Sequence, residues 1–182
     1  MKLLFFSDVH GNAASLQRLM EHIGRLNPEQ LILLGDALYH GPRNPIQEAY
    51  APADAVPLLN SLKAKLIAVR GNCDSEVDQM LLEFPLMGDS TTLLVDGLRI
   101  FATPGHIWNP AHLPPMANCN LFAYGHTHIP QLARHPDGAI LLNPGSISLP
   151  KNGNPPSFAL LDNGRIQLLR LTDGAVMDEL SC

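Results

Sequence analysis

Four short apolar runs in this chain are each followed, within two residues, by glycine or serine and then by a residue type that binds ions. Leu3–Phe6 runs into Ser7-Asp8-Val9-His10, Leu31–Leu34 into Gly35-Asp36, Leu66–Val69 into Arg70-Gly71-Asn72, and Leu121–Tyr124 into Gly125-His126-Thr127-His128. Apolar runs of this length, bounded by turn residues, read as buried strands; helices need ten residues or more. Strands buried on both faces belong in parallel sheets, and open α/β sheets carry their sites outside the carboxyl ends of the strands. The pattern therefore predicts an α/β fold with four polar clusters on one rim.

The segments between these runs agree. The first strand is expected over Lys2–Phe6, followed by a helix over Asn12–Leu26 with Asn12 as N-cap. A long loop containing Gly41-Pro42 and Asn44-Pro45 precedes a helical pattern from Ala53 to Lys63. Ser75 or Asp74 caps a further helix running through Met80, Leu81 and Phe84 to Pro85. The second half reads as hairpins: Thr92–Val95 and Leu98–Ala102 flank Asp96-Gly97, and Asp137-Gly138 and Asn163-Gly164 mark two more. Asp173-Gly174 is a further turn. Helices early and hairpins late predict two sheets packed face to face with helices outside, in one domain spanning 1–182.

Composition narrows the function classes. With 46% apolar and 16% charged residues the chain is no disordered segment. Its 12 basic and 17 acidic residues give −5, with no basic stripe for nucleic acid or membrane surfaces. The start is too short and too soon polar for a secretory leader, and no run approaches the ~18 apolar residues of a membrane span. Three cysteines without paired spacing fit a reducing, cytoplasmic setting.

The polar clusters are weak signals singly and strong together. In extended chain, residues two apart point to the same side, so Asp8 and His10 can share an ion, as can His126 and His128. Asp36 and Asn72 add hard oxygen donors beside glycines that permit close backbone approach. Oxygen and imidazole donors without thiolates suit Mn²⁺, Fe or Zn²⁺ in a working centre better than a structural zinc site. Arg43, in the long loop after Asp36, suits bidentate phosphate contact, with His40 and Arg70 as further candidates. His22, His112 and His135 have no partner spacing and are expected at the surface. Trp108 either lines a substrate lip or packs against a partner.

The series Asp8-x-His10, Gly35-Asp36, Gly71-Asn72-Cys73-Asp74 and Gly125-His126-Thr127-His128 resembles the calcineurin-like metallophosphoesterase family. His40-Gly41-Pro42-Arg43-Asn44, Arg70 to Ser75 and Asn143-Pro144-Gly145-Ser146 are similar to its bacterial YfcE-type phosphodiesterase branch. The resemblance implies a four-layer α/β/β/α sandwich of two mostly mixed sheets flanked by helices. It implies two divalent ions, usually manganese, with Zn²⁺ or Fe as alternatives. Asp8, His10 and His128 then hold one ion, Asn72 and His126 the other, and Asp36 bridges. The implied activity is hydrolysis of a phosphodiester by a metal-bridging hydroxide, with Asp36, Asn72 and His126 at the reaction centre and Arg43, Cys73 and His40 against the substrate. The partner is a small-molecule phosphodiester, and a homo-oligomer stays open.

Two departures from the family pattern matter. Its remaining histidine ligand aligns with Pro104 of Thr103-Pro104-Gly105-His106, which has no donor atom in its side chain. The second site is therefore expected to be weakened, with His106, ~6.6 Å further along extended chain, as a substitute ligand. Cys73 stands where many relatives carry a histidine proton donor, and a thiol of pKa near ~8.5 is a poor general acid. The alternative function is a non-catalytic or weakly active binding module on the same fold, as in the family's retromer-subunit branch.

Overall fold

The computed structural model describes residues 1–115 and 118–182. In chain order its elements are β1 (Leu3–Phe6), α1 (Ala13–Leu26), β2 (Gln30–Leu33), α2 (Pro52–Ser61), β3 (Leu66–Ala68), α3 (Glu76–Leu81), β4 (Thr91–Val95), β5 (Leu98–Thr103), β6 (Leu121–Tyr124), β7 (Gln131–Arg134), β8 (Ile140–Asn143), β9 (Ser157–Asp162), β10 (Arg165–Arg170) and β11 (Val176–Ser181). They build a six-stranded sheet, β11-β10-β9-β1-β2-β3, and a five-stranded sheet, β4-β5-β6-β8-β7. Both are mixed: β1, β2 and β3 run parallel, as do β5, β6 and β8, and the remaining pairings are antiparallel.

Alternation along the strands sorts the side chains into layers. Leu4 and Phe6 of β1 join Leu31, Leu33, Phe158 and Leu160 under Leu16, Leu19, Leu59, Leu82 and Phe84 from the helical side. Leu3 and Phe5 point the other way. With Ile32 and Leu34 they meet Ile100, Ala102, Leu121, Ala123 and Leu142 between the sheets. On the outer face of the five-stranded sheet, Phe101, Phe122, Tyr124 and Leu141 cluster beneath Trp108 and Leu113. Among the described residues that cover is loop rather than helix, since Pro104, Pro110, Pro114 and Pro115 deny a helix its N–H donors. Trp108 is thus a packing residue of this layer, stacked on exposed His112 at 4.9 Å.

Local chemistry sets the boundaries. Asn12 caps α1 by accepting from the Ser15 N–H at 2.9 Å, and Asn27 ends it in the left-handed region. Pro52 opens α2, where its missing N–H costs nothing. Ser75 opens α3 in a capping box with Asp78. This helix stops at Leu81, short of the expected Phe84. The Gln79 amide donates to the Leu82 and Phe84 carbonyls at 3.1 and 2.9 Å and accepts from the Leu86 N–H at 2.7 Å, replacing the bonds another turn would make. His22 is buried against expectation. Its Nε2 lies 2.7 Å from the Leu171 carbonyl and its Nδ1 2.7 Å from the Arg25 guanidinium, so both ring nitrogens are satisfied inside. No helix among the described residues is long and apolar enough to cross a membrane.

Candidate metal centre and active site

The parallel strands of both sheets deliver their carboxyl ends to one place. The Asp8 N–H donates to the Gly35 carbonyl at 3.1 Å, His10 N–H to Asp36 at 2.9 Å, and Gly125 N–H to Pro104 at 3.1 Å. Two glycines make the convergence tight. A Cβ on Gly71 would lie 2.0 Å from Asp36 Oδ1, and one on Gly125 would lie 2.1 Å from Ser7 Oγ. Five of the six candidate ligands leave their strands in the left-handed region: Asp8, His10, Asp36, His126 and His128 have φ of 54°, 46°, 56°, 68° and 60°. Asp and His enter that region more readily than most residues, which suits these positions.

Asp8, His10 and His128 form the buried half of the centre. His10 Nδ1 lies 2.8 Å from the Tyr39 carbonyl and His128 Nδ1 2.6 Å from that of Leu149. Carbonyls only accept, so each Nδ1 carries the proton and, in the neutral imidazole, each Nε2 presents a lone pair. Those two Nε2 atoms stand 3.2 Å apart, at 3.8 and 3.3 Å from Asp8 Oδ1. Asp36 Oδ2 lies 3.7 Å from His10 Nε2. Acceptors facing one another in a buried site call for a cation between them, and this donor set fits a divalent metal. The other half is more open. Exposed Asn72 sets its Oδ1 2.7 Å from Nδ1 of half-buried His126, whose N–H donates to Asp8 Oδ2 at 3.1 Å.

Electrostatics follow from burial and charge. Burial first, then the Asp8 charge, pushes the Asp36 carboxyl up to about 6. Burial holds His10 and His126 below the usual imidazole value. For His128 burial also pulls downward, but the hydrogen bond and charge of Asp8 outweigh it and the net shift is upward. Burial and then Asp36 push the Cys73 thiol up to about 12, so it stays protonated and gives its proton up reluctantly.

A cavity of 380 Å³ opens over the centre, lined by Asp36, Arg43, Asn72, Cys73, His126 and His128 with Gly41, Pro42, Asn44, Thr127 and Lys151. His40 does not line it; its ring sits edge-on to Tyr39 and Tyr50, at 4.7 and 5.0 Å. Arg70 pairs instead with Asp89 at 3.3 Å. Pro104 is buried at the rim, its carbonyl bound by Gly125. The His106 ring centroid lies 6.1 Å from that of His126, outside the cavity lining, with a buried and unpartnered Nδ1.

Sequence reasoning missed the supporting residues. Asp74, read there as a helix cap, accepts from the N–H groups of Asp36, Ala37 and Gly71 at 2.8, 2.7 and 2.7 Å and so fixes two ligand loops at once. The hydroxyls of Ser146 and Ser148 donate to the Asp8 carbonyl at 2.7 and 2.9 Å. The signal for Asp74 was its place two residues after Asn72; Lys151 carried none.

Comparison with known proteins agrees with this geometry. The calcineurin-like phosphoesterase superfamily domain matches residues 1–165. Phosphodiesterase YfcE of Escherichia coli (strain K12) is 43% identical over 181 residues, covering 100% of this chain and 98% of its own. Its solved structure, described as that of a phosphoesterase, superposes with a TM-score of 0.95 over 100% and 99% of the two chains. The probable metallophosphoesterase YsnB of Bacillus subtilis (strain 168) is 26% identical, over 88% of this chain and 83% of its own. A Vps29 from Entamoeba histolytica, solved with Zn²⁺, shares the fold at 19% identity and a TM-score of 0.65, over 100% and 99% of the chains. Two mixed sheets meeting at a rim of carboxylates and imidazoles, matched along the whole chain, leave one assignment: the protein belongs to the calcineurin-like phosphoesterase superfamily, a metal-dependent family of phosphoester hydrolases.

Proposed function

We propose that the protein is a metal-dependent phosphodiesterase acting on a small-molecule phosphodiester, with two divalent cations, manganese foremost, at the strand-end centre. The observation that carries this is the pair of Nε2 lone pairs 3.2 Å apart beside Asp8, beneath a cavity that Arg43 also lines. Asp8, His10 and His128 would hold one cation, Asn72 and His126 the other, with Asp36 shared. When bound, such cations supply Lewis-acid chemistry: they polarise phosphoryl oxygens and lower the pKa of water to near neutrality.

The chain's own residues do the rest. His126 and Asn72 orient the scissile phosphate, and the Arg43 guanidinium, on the cavity wall, faces the rest of the substrate. Cys73, its thiol pushed up to about 12, is a poor proton donor to a departing alcohol. Diesters with good leaving groups are therefore favoured over alkyl phosphomonoesters. The name of the Escherichia coli relative supports the diesterase reading. The binding-module alternative is disfavoured because six ligand candidates gather at one rim. We assign the protein to the cytoplasm, which its three free thiols, Cys73, Cys119 and Cys182, support.

The test joins metal analysis of the purified protein to hydrolysis of bis(p-nitrophenyl) phosphate with and without manganese. The expected result is bound transition metal, diester hydrolysis abolished by chelation, and slower turnover of alkyl phosphomonoesters. Metal-free protein with no manganese-dependent hydrolysis would overturn the reading, as would faster turnover of the monoesters.

A further inference from the structure

Two cations line the mouth of the cavity and neither is neutralised. Among the described residues, the Arg43 and Lys151 side chains make no ion pair and no hydrogen bond, and both are exposed. Five other bases, Lys2, Lys63, Arg70, Arg165 and Arg170, each meet a carboxylate. Lys151 is also held in place relative to the centre. Its N–H donates to the His128 carbonyl at 3.2 Å, and its own carbonyl accepts from the N–H and the side-chain amide of Asn154 at 3.1 and 2.8 Å. Two residues earlier, Leu149 orients the His128 ring. The loop that aims a candidate ligand thus also carries the cation.

A plain phosphodiester brings one negative charge, which a centre built for divalent cations already answers. Two further cations over the same cavity leave positive charge that such a substrate does not use. We propose that the substrate is a phosphodiester bearing a second anionic group, a terminal phosphate, and that Lys151, with Arg43, is the specificity determinant that binds it. Phosphate is the better match than a carboxylate. It offers more acceptor oxygens and more charge, and a guanidinium and an ammonium on different loops can share them. This inference rests on the diesterase reading of the site and goes beyond it by naming the second charge.

The experiment compares thymidine 5′-(p-nitrophenyl phosphate) with the same diester phosphorylated at its 3′-hydroxyl, following nitrophenolate release at low salt. Wild type is expected to favour the phosphorylated diester in kcat/KM by about tenfold, the size of one charge-assisted hydrogen bond. The preference should vanish in Lys151→Gln, return in Lys151→Arg, and shrink with salt. Calorimetric binding of thymidine 3′,5′-bisphosphate against thymidine 5′-phosphate reads the same subsite without turnover. Hydrolysis of both diesters with no preference, or equal losses on both in Lys151→Gln, overturns the subsite. Absence of hydrolysis together with a Lys151-dependent advantage of the bisphosphate would overturn the diesterase reading and leave the subsite standing. Absence of both hydrolysis and that advantage overturns the two together.

Discussion

At the scale of single residues, the Asp36 carboxylate is the point on which the proposed centre turns. Asp36 faces His10 and takes the Cys73 N–H on Oδ1 at 2.8 Å, so it is fixed before any ion arrives. Asp36→Asn keeps the shape and the left-handed backbone but removes the charge; bound manganese and diesterase activity should both fall by at least ~100-fold. Equal manganese content in the two proteins, measured by mass spectrometry, would contradict a bridging role. Gly71→Ala tests position rather than charge. Its methyl would sit 2.0 Å from Asp36 Oδ1, so metal affinity should drop about tenfold while the circular dichroism spectrum holds. The six ligand candidates were legible because each follows an apolar run and a small residue. The supporting roles of Asp74, Ser146 and Ser148 were not, because holding backbone groups leaves no periodic mark. Lys151 was invisible for a related reason: its use depends on which loops fold together.

At the scale of elements, strand and hairpin positions followed from residue type. Asp96-Gly97 and Asn163-Gly164 both adopt the doubly left-handed turn that two-residue hairpins need. Errors fell where a single hydrogen bond overrode the periodic pattern. Gln79 ends α3 early, and the Leu171 carbonyl draws His22 inward. Pro104 offers no side-chain donor where the family resemblance implies a histidine, and this predicts unequal ion sites. The Asp8–His10–His128 half is buried and complete, whereas Asn72 and His126 sit in the open half without a histidine at 104. Pro104→His should lower the manganese needed for half-maximal activation by about tenfold. A matched melting curve would check folding, since the change also frees a backbone N–H. If the titration does not move, the missing donor comes from elsewhere, and loss of manganese in His106→Ala would identify it.

At the scale of the whole molecule, the centre joins two sheets: Asp8, His10, Asp36 and Asn72 follow strands of one, and His126 and His128 follow a strand of the other. An ion held there ties the halves together and stabilises the fold by mass action. The effect depends on pH. Asp36 titrates at about 6 in the folded, metal-free protein, above its ordinary 3.8. Between those values the folded chain keeps a proton that the unfolded chain has lost, so this group's contribution to metal-free stability falls as pH rises through about 6. Cations need the carboxylate free, so the rise in Tm on adding manganese should be larger at about pH 7.5 than at about pH 5.5. Differential scanning fluorimetry measures both, and the reverse order would remove Asp36 from the ligand set. The left-handed backbone at Asp8, His10, Asp36, His126 and His128 has a consequence for descent. A β-branched residue is a steric outlier there, and only Gly, Asn, Asp and His enter readily. Most single-codon neighbours of these residues are therefore closed by conformation before chemistry is tested, and the changes that remain open lead largely to other metal-binding side chains. A lineage carrying this rim would alter its ion binding more easily through neighbouring loops, whose backbone is not so confined, than at these five positions.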